Sequence, residues 1–340
     1  MWRPPFAGFQ RGHSPRSMPM KLCVLSSIDG GSAAPANEAE AQLDILRHLS
    51  GHDVDIVGLY KESAVRQVEE LADSGRDVFI NLCDGAWGTD YAGIEVVETL
   101  ERLRLPFTGA ASEFYEPSRE TMKRVCRSLG LATPAYHFAK DAGGISEAAA
   151  GLRFPVIVKH PASYSSIGMT KASRVTTEKD LHREAARFIG QFGEVLIEEF
   201  IEGREYTVLV VENADDPLKP VVYDALEHRF PPGETFKHYE LKWADHQDMD
   251  TSHCTDAKLN ETLKAISVDF FLGLNGSGYG RCDIRVDAQG TPYLLEINPN
   301  CGIFFLPEQL GGADLILQNH PGGHQEFIGL ILKAALKRVN

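Results

Sequence analysis

The chain has 340 residues, 43% of them hydrophobic and 24% charged, enough for two or three domains around real cores. Its formal charge of −14, from 34 basic and 48 acidic residues, comes with no long basic run, which argues against nucleic acid or an anionic membrane as the main partner. No apolar stretch approaches membrane-spanning length, and Cys23, Cys83, Cys126, Cys254, Cys282 and Cys301 are scattered without a C-x-x-C pair, as in the reduced thiols of a cytoplasmic enzyme.

Residues 1–19 contain Pro, Gly and Arg but no acid and no periodicity. They read as a disordered leader, as a tail upstream of a start near Met18 or Met20, or as a weak organelle-targeting signal. From Met20 the pattern alternates. "KLCVLSS" is an expected strand, and "NEAEAQLDILRHLSG" a helix with Leu43, Leu46 and Leu49 near one face. Strand "DVDIVGLY", helix "SAVRQVEELADSG", strand "RDVFINLCDG", helix "YAGIEVVETLERLRL" and short strand "PFTGA" follow. This rhythm implies an α/β unit over 20–115 with a small parallel sheet. The loop "SSIDGGSAAP" lacks G-x-G-x-x-G, which counts against a nicotinamide dehydrogenase.

Beyond about residue 112 the character changes to α+β. The helix "SRETMKRVCRSLG" leads into the strands "FPVIVKH", "GMTKASRV", "GEVLIEEFI", "EYTVLVV" and "KPVVYDALE", interrupted by the helix "EKDLHREAARFIG". The polar run from Pro231 to Asp256 shows no clear element; His246, His253 and Cys254 lie in it but lack a second ligand pair for zinc. A helix near Leu259–Leu272, the hairpin "GYGRCDIRVDAQGTPYLLEINPN" and the helix "HQEFIGLILKAALKRV" close the chain. The expected units after the first are 116–200 and 201–340.

Four polar clusters stand out. In the hairpin, strand parity turns Glu296 and Asn298 to one face, and folding back brings Asp283 toward them. Two carboxylates and an amide oxygen form an oxygen-only donor set, suited to Mg²⁺ or Mn²⁺. Arg281 shares the parity of Asp283, so a guanidinium and a cation could share the charge on a transferring phosphoryl group. Lys159 ends an apolar strand and precedes "HPASYSSIGMTK", where Ser165, Ser166 and Gly168 would let backbone and hydroxyls approach phosphate oxygens. Glu198, Glu199 and Glu205 sit at strand ends, where an acid can meet ribose hydroxyls and free backbone groups an adenine edge. Lys237 and Lys242 are interleaved with Phe236, Tyr239 and Trp243, as in a lid over an anion. Taken singly, each cluster also has an ordinary reading: a solvated hairpin face, a hairpin tip, an acidic turn, a loop of lysines.

Together, in this order, the motifs "RLPFTGA", "VIVKHPASYSSIGM", "IEEFIEGREYTV", "LKW" and "GRCDIR…YLLEINPNCGI" resemble the ATP-grasp superfamily, and most closely its D-alanine–D-alanine ligase branch, over residues 20 to 335. The resemblance implies a Rossmann-like pre-ATP-grasp domain followed by two ATP-grasp subdomains. It implies ATP and Mg²⁺, and a carboxylate–amine ligase that forms an amide through an acyl phosphate and releases ADP and phosphate. By the resemblance, Lys159 touches ATP phosphates and the loop from Ser165 to Gly168 folds over them. Glu198 and the backbone of Glu199, Phe200 and Ile201 hold adenine, and Glu205 takes the ribose. Lys242 reaches the γ-phosphate, with Lys237 beside it in the lid. Asp283, Glu296 and Asn298 bind two Mg²⁺ ions. Arg281 stabilises the transferred phosphoryl, and backbone N–H groups near Gly302 form an oxyanion site.

The chain departs from that pattern in places. Arg119 stands where the family usually has lysine, with Lys123 one turn on, and Trp243 where a tyrosine often follows the lid lysine. Glu38 is a distant candidate for the N-terminal acid. After Gly302 the polar segment for the second substrate becomes "IFFLP", and Phe304 and Phe305 make this end apolar. The expected substrates are therefore small and amino-acid-like, other than a pair of D-alanines, with a larger or more apolar amine or an unusual carboxylic acid. The alternatives are transfer to a peptide or another nucleophile, and a nucleotide-binding regulator without turnover. A homodimer through the N-terminal domain is an expectation of the resemblance alone.

Overall fold

The computed structural model describes residues 19–28, 44–86, 88–162, 166–238, 241 and 250–339. Leu22, Cys23, Val24 and Leu25 are consecutive and fully buried. β1 (Lys21–Ile28) is thus covered on both faces, as a central parallel strand must be. β2 (Asp53–Tyr60) and β3 (Val78–Asn81) flank it, both parallel, in the order β2-β1-β3. α1 (Ala64–Leu71) buries Val68 and α2 (Ile94–Arg102) buries Val96, Val97 and Leu100.

Two expectations are corrected here. "PFTGA" is not a fourth strand; it touches the sheet through one parallel bridge, Phe79 to Phe107. Pro106 has no N–H to give a ladder, and Gly109 turns into the left-handed region at φ +93°, so pairing stops. The helix expected over 37–51 is, among the described residues, a single 3₁₀ turn, Ile45–His48. Leu49 is buried but Leu46 is 48% exposed, and Leu43 lies outside the described residues.

α3 (Ser112–Tyr115) is a short turn, and α4 (Arg119–Ser128) follows, its first turn capped by Ser118 accepting from the Thr121 N–H. The next sheet is antiparallel, in the order β4-β7-β5-β6. It comprises β4 (Tyr136–Ala139), β5 (Val156–Lys159), β6 (Arg174–Val175) and β7 (Val195–Glu199). α5 (Ala142–Gly151) and α6 (Glu178–Phe192) cover it, burying Ile145, Leu181, Ala185 and Phe188 against Val156, Val158 and Ile197. "GMTKASRV" is mostly not the expected strand. The Thr170 hydroxyl accepts from the Ala172 N–H and the Ser173 hydroxyl from the Thr170 N–H, which holds Lys171–Ser173 in a 3₁₀ turn and leaves only β6 extended.

The largest sheet runs β11-β10-β8-β12-β13, with β9 beside β8. Its strands are β8 (Arg204–Val211), β9 (Val221–Val222), β10 (Leu226–Arg229), β11 (Asp250–His253), β12 (Tyr279–Val286) and β13 (Pro292–Pro299). "KPVVYDALE" is two short strands rather than one, because Asn260 of α7 (Ala257–Gly273) accepts from the Ala225 N–H and draws the backbone out of the ladder. The polar run 231–256, expected to lack structure, ends in β11, which pairs with β10.

Parity divides the faces of this sheet. Tyr206, Val208 and Val210 share a core with Leu263, Phe270 and Phe271 of α7. Leu209 and Val211 share another with α8 (Gly312–Gln318) and α9 (Gly323–Arg338), through Ile316, Leu317, Phe327 and Ile331. The parallel sheet's loop reaches this layer at Gly278, where a Cβ would fall 2.2 Å from the Gly109 backbone. Nearby the Ala110 N–H donates to Asn300 Oδ1 at 2.7 Å.

Candidate active site

β12 and β13 pair antiparallel with Asp283 directly opposite Glu296 and Arg281 opposite Asn298, and a bulge follows Asp283. The Asp283 carboxylate accepts from Arg281 Nε at 3.2 Å, from the Thr207 hydroxyl at 2.9 Å and from Asn298 Nδ2 at 3.0 Å. Because the amide nitrogen faces Asp283, the Asn298 carbonyl oxygen is its remaining donor atom. Glu296 pairs with Arg119 of α4 at 2.5 Å. Burial pushes the Asp283 carboxyl up, but Arg281 and Lys237 outweigh it and hold the group well below the usual carboxylate range. Among the described residues no group of three His, Cys, Asp or Glu clusters as a metal site. An Asp, a Glu and an Asn on adjacent strands are instead an all-oxygen set that fits a hard cation such as Mg²⁺.

Glu198 of β7 is 1% exposed and holds two lysines: Lys159 at 2.7 Å and Lys123 of α4. Burial pushes it up, yet the field of Lys123, Lys159 and Arg119 prevails and leaves its pKa at about 2. Glu198 therefore acts as the counter-ion that keeps Lys159 aimed from the end of β5. Lys123 is further tied to the Thr133 hydroxyl at 2.8 Å. Glu199 turns the other way, to Arg153, whose backbone N–H donates at 2.9 Å and whose guanidinium donates at 2.7 Å.

Glu205 of β8 accepts from Arg285 at 2.9 Å and pairs with Lys237 at 3.1 Å. It too sits at about 2, burial opposing and Lys237 and Arg285 prevailing. Arg119, Lys123, Lys159, Lys237, Arg281 and Arg285 outnumber the acids they pair with, Glu198, Glu205, Asp283 and Glu296. Cations gathered this closely offer several donors to a polyanionic ligand.

A cavity of about 810 Å³ collects these groups. It is lined by Arg119, Lys159, Ser166, the run Glu198–Ile201, Glu205, Lys237, Arg281, Asp283, Glu296, Asn298 and Gly302. Ser166, at φ +59°, donates from its hydroxyl to the Lys237 carbonyl at 2.9 Å, so the serine loop and the lysine segment meet over it. Gly168 is not part of the lining; its carbonyl accepts from Arg187 at 2.7 Å. Ser165, Lys242, Trp243, Tyr239 and Glu38 lie outside the described residues.

At the far wall the two phenylalanines part. Phe305 lines the cavity, its ring 2.6 Å from where a Cβ on Gly302 would stand. Phe304 does not: it is 1% exposed and packs against Phe327 and His324. The expectation that both make the substrate end apolar is corrected accordingly. The reason is Asp314 of α8, fully buried, which accepts from the N–H groups of Phe304 at 2.8 Å and Gly311 at 3.3 Å and so ties the loop down.

Sequence reasoning passed over Arg285, Thr207, His228 and Asp314. Arg285 had a signal, because it continues the parity of Arg281 and Asp283. Thr207 lies inside the motif "IEEFIEGREYTV", whereas His228 and Asp314 sit in a short strand and a short helix with no motif around them.

A family profile described as "D-ala D-ala ligase C-terminus" matches residues 125–305, more than half of the chain. The D-alanine–D-alanine ligase of Pseudoalteromonas translucida is 32% identical over 286 residues, spanning 82% of this chain and 86% of that protein. The D-alanine–D-alanine ligase of Hydrogenovibrio crunogenus is 29% identical over 297 residues, 85% and 88% of the two chains. Among solved structures, D-alanyl-alanine synthetase A from Vibrio cholerae superposes with a TM-score of 0.70 at 19% identity, covering 94% of this chain and 99% of its own. The Bacillus anthracis D-alanine–D-alanine ligase complexed with ATP gives 0.66 at 20%, covering 95% and 99%. The solved structures establish the ATP-grasp architecture, and the sequence relatives establish descent: the chain belongs to the D-alanine–D-alanine ligase family of ATP- and Mg²⁺-dependent, C–N bond-forming ligases.

Proposed function

We propose that this chain joins the carboxylate of one small amino-acid-like molecule to the amine of another, in the cavity between the Lys159 and Asp283 walls. The observation that carries the reading is the facing of two sets across one cavity: Lys159 held by Glu198 on one side, and Asp283, Glu296 and Asn298 beside Arg281 on the other. A carboxylate is a poor electrophile until one of its oxygens can leave. Its attack on the γ-phosphoryl of ATP forms an O–P bond, breaks the bond to ADP and gives an acyl phosphate. The amine then attacks the acyl carbon, and phosphate departs.

Asp283, Glu296 and Asn298 would hold Mg²⁺, which when bound neutralises charge on the phosphoryl oxygens. Arg281 would meet the transferred phosphoryl group, and Arg119 and Lys159 the polyphosphate. The backbone of Glu199–Ile201 would read adenine and Glu205 the ribose. Backbone N–H groups near Gly302 would receive the oxyanion, with Lys242 and the loop of Ser165, Ser166 and Gly168 closing over the nucleotide. For substrates, the relatives' names make D-alanine with itself the first pair to test. Phe305 and Leu310 on the far wall favour an amine with an apolar side chain as the second.

The test is phosphate release with Mg²⁺ and ATP over pairs of amino acids and small acids, D-alanine included, with the product identified by mass. Release that requires both an acid and an amine is expected. ATP hydrolysis indifferent to either, or none at all, would overturn the proposal.

A further inference from the structure

β12 places Arg285 directly opposite Glu205 of β8, two residues beyond Asp283 on the same face. The side chain is 3% exposed, yet it is one of the groups that line the cavity. Nε and Nη2 both donate to Glu205 Oε2, at 3.2 and 2.9 Å. Nη1 donates to the Ile201 carbonyl at 3.0 Å, and Nη2 also donates to the Thr235 carbonyl. The guanidinium carbon lies 4.5 Å from the centre of the Phe200 ring. One arginine thus joins the end of the Glu199–Ile201 run, the acid at the start of β8 and the segment that leads into Lys237.

Stability alone does not call for this arrangement. A buried ion pair often stabilises a fold no more than apolar side chains of the same size would. What a planar fork adds is geometry, because it fixes a carboxylate and two carbonyls at once. Those groups belong to the segments proposed above to hold the nucleoside and to the root of the lysine segment that meets the serine loop. The fork also limits what Glu205 can offer. An ionised carboxylate has about four acceptor positions. Arg285 fills those on Oε2, and Lys237, at 3.1 Å, takes one on Oε1. Among the described residues no other donor meets this carboxylate, so a single position, on Oε1, is left for a ribose hydroxyl.

We infer that Arg285 is a positioning residue for the nucleoside, holding Glu205 so that it accepts from one ribose hydroxyl. The inference rests on the nucleotide reading of the cavity, so its test separates the two. Calorimetric titration of the full chain with Mg–ADP, Mg–2′-deoxy-ADP, Mg–3′-deoxy-ADP and Mg–tripolyphosphate compares wild type, Arg285→Met and Arg285→Lys. Wild type should bind one of the deoxy analogues about tenfold more weakly than ADP, the scale of a hydrogen bond to a charged group. Arg285→Met should shrink that penalty to less than about twofold, while its affinity for tripolyphosphate stays within about twofold of wild type. Arg285→Lys can pair with Glu205 but cannot span both carbonyls as well, so it should keep part of the penalty. An unchanged penalty in Arg285→Met, or in Arg285→Lys should the methionine variant not fold, overturns this inference alone. Tripolyphosphate binding weakened as much as ADP binding makes the role general to the fold and overturns it too. Penalties on both analogues that Arg285→Met removes together overturn the single-hydroxyl geometry. A wild type that binds ADP and both analogues alike takes Glu205 away from the ribose, and this inference with it. No nucleotide binding by wild type would sink it together with the reading of the cavity.

Discussion

One face of the large sheet carries two regions built from the same strands. Along β8 and β12, Leu209, Val211 and Tyr279 lie in a core under α8 and α9, while Glu205, Asp283 and Arg285, on the same parity, line the cavity. β10 repeats the division within two residues, Leu226 packed and His228 in the cavity. Backbone geometry is shared, so the strands alone do not make a site. What differs is whether a helix covers the face. Where α8 and α9 lie over it, apolar burial stabilises the fold. Where α8 begins, at Gly312, that cover ends and the stretch lining the cavity holds charges whose burial is balanced by pairing and not by packing.

That contrast can be broken most sharply at its charged end. Asp283→Asn should lower phosphate release by about 10³-fold, the scale of losing a principal electrostatic contributor, with the fold retained by circular dichroism; wild-type turnover would remove Asp283 from the chemistry. Next in size is a change at the packed end. Phe304→Ala should cost about 3 kcal/mol in denaturant unfolding, as truncation of a buried aromatic does, and an unchanged midpoint would place Phe304 outside the core.

Its neighbour sharpens the comparison. Phe305→Ser should leave stability nearly unchanged, while the KM for the amine moves by about tenfold and that for ATP by less than about twofold. Movement of the ATP value alone would misplace this wall. The smallest effect is the pH dependence of stability. Glu198 and Glu205 sit at about 2, below the ordinary 4.5, so their contribution is present above the ordinary value and is lost as pH falls through that window. Unfolding midpoints should therefore drop as pH falls from about 4.5 to about 2, and Glu198→Gln should flatten that slope. A slope identical to wild type would show that Glu198 does not hold its proton balance as described.

Part of the site is legible in the sequence. The facing of Asp283 and Glu296 across the hairpin follows from a period of two and a turn signal, both local properties. The same rule reaches Arg285, which parity alone places beside them. His228 carries no such mark, because β10 is four residues long and its partner across the sheet, Glu205, lies on a strand that is not its neighbour in chain order. The helix expected around Leu46 follows a real apolar spacing, yet Leu46 faces solvent, since spacing alone does not say which turn a neighbouring layer will cover.

By itself the sequence determined the class of fold, the ordering of its elements and the polar groups available to a nucleotide and a cation, because periodicity and side-chain chemistry are written residue by residue. The tertiary structure alone decided which of those groups meet and which are sealed away. Phe304 and Phe305 are identical in chemistry and adjacent in sequence; Asp314, ten residues on, holds the backbone so that one enters the core and the other the cavity. Such choices depend on contacts between distant segments, and no local pattern encodes them.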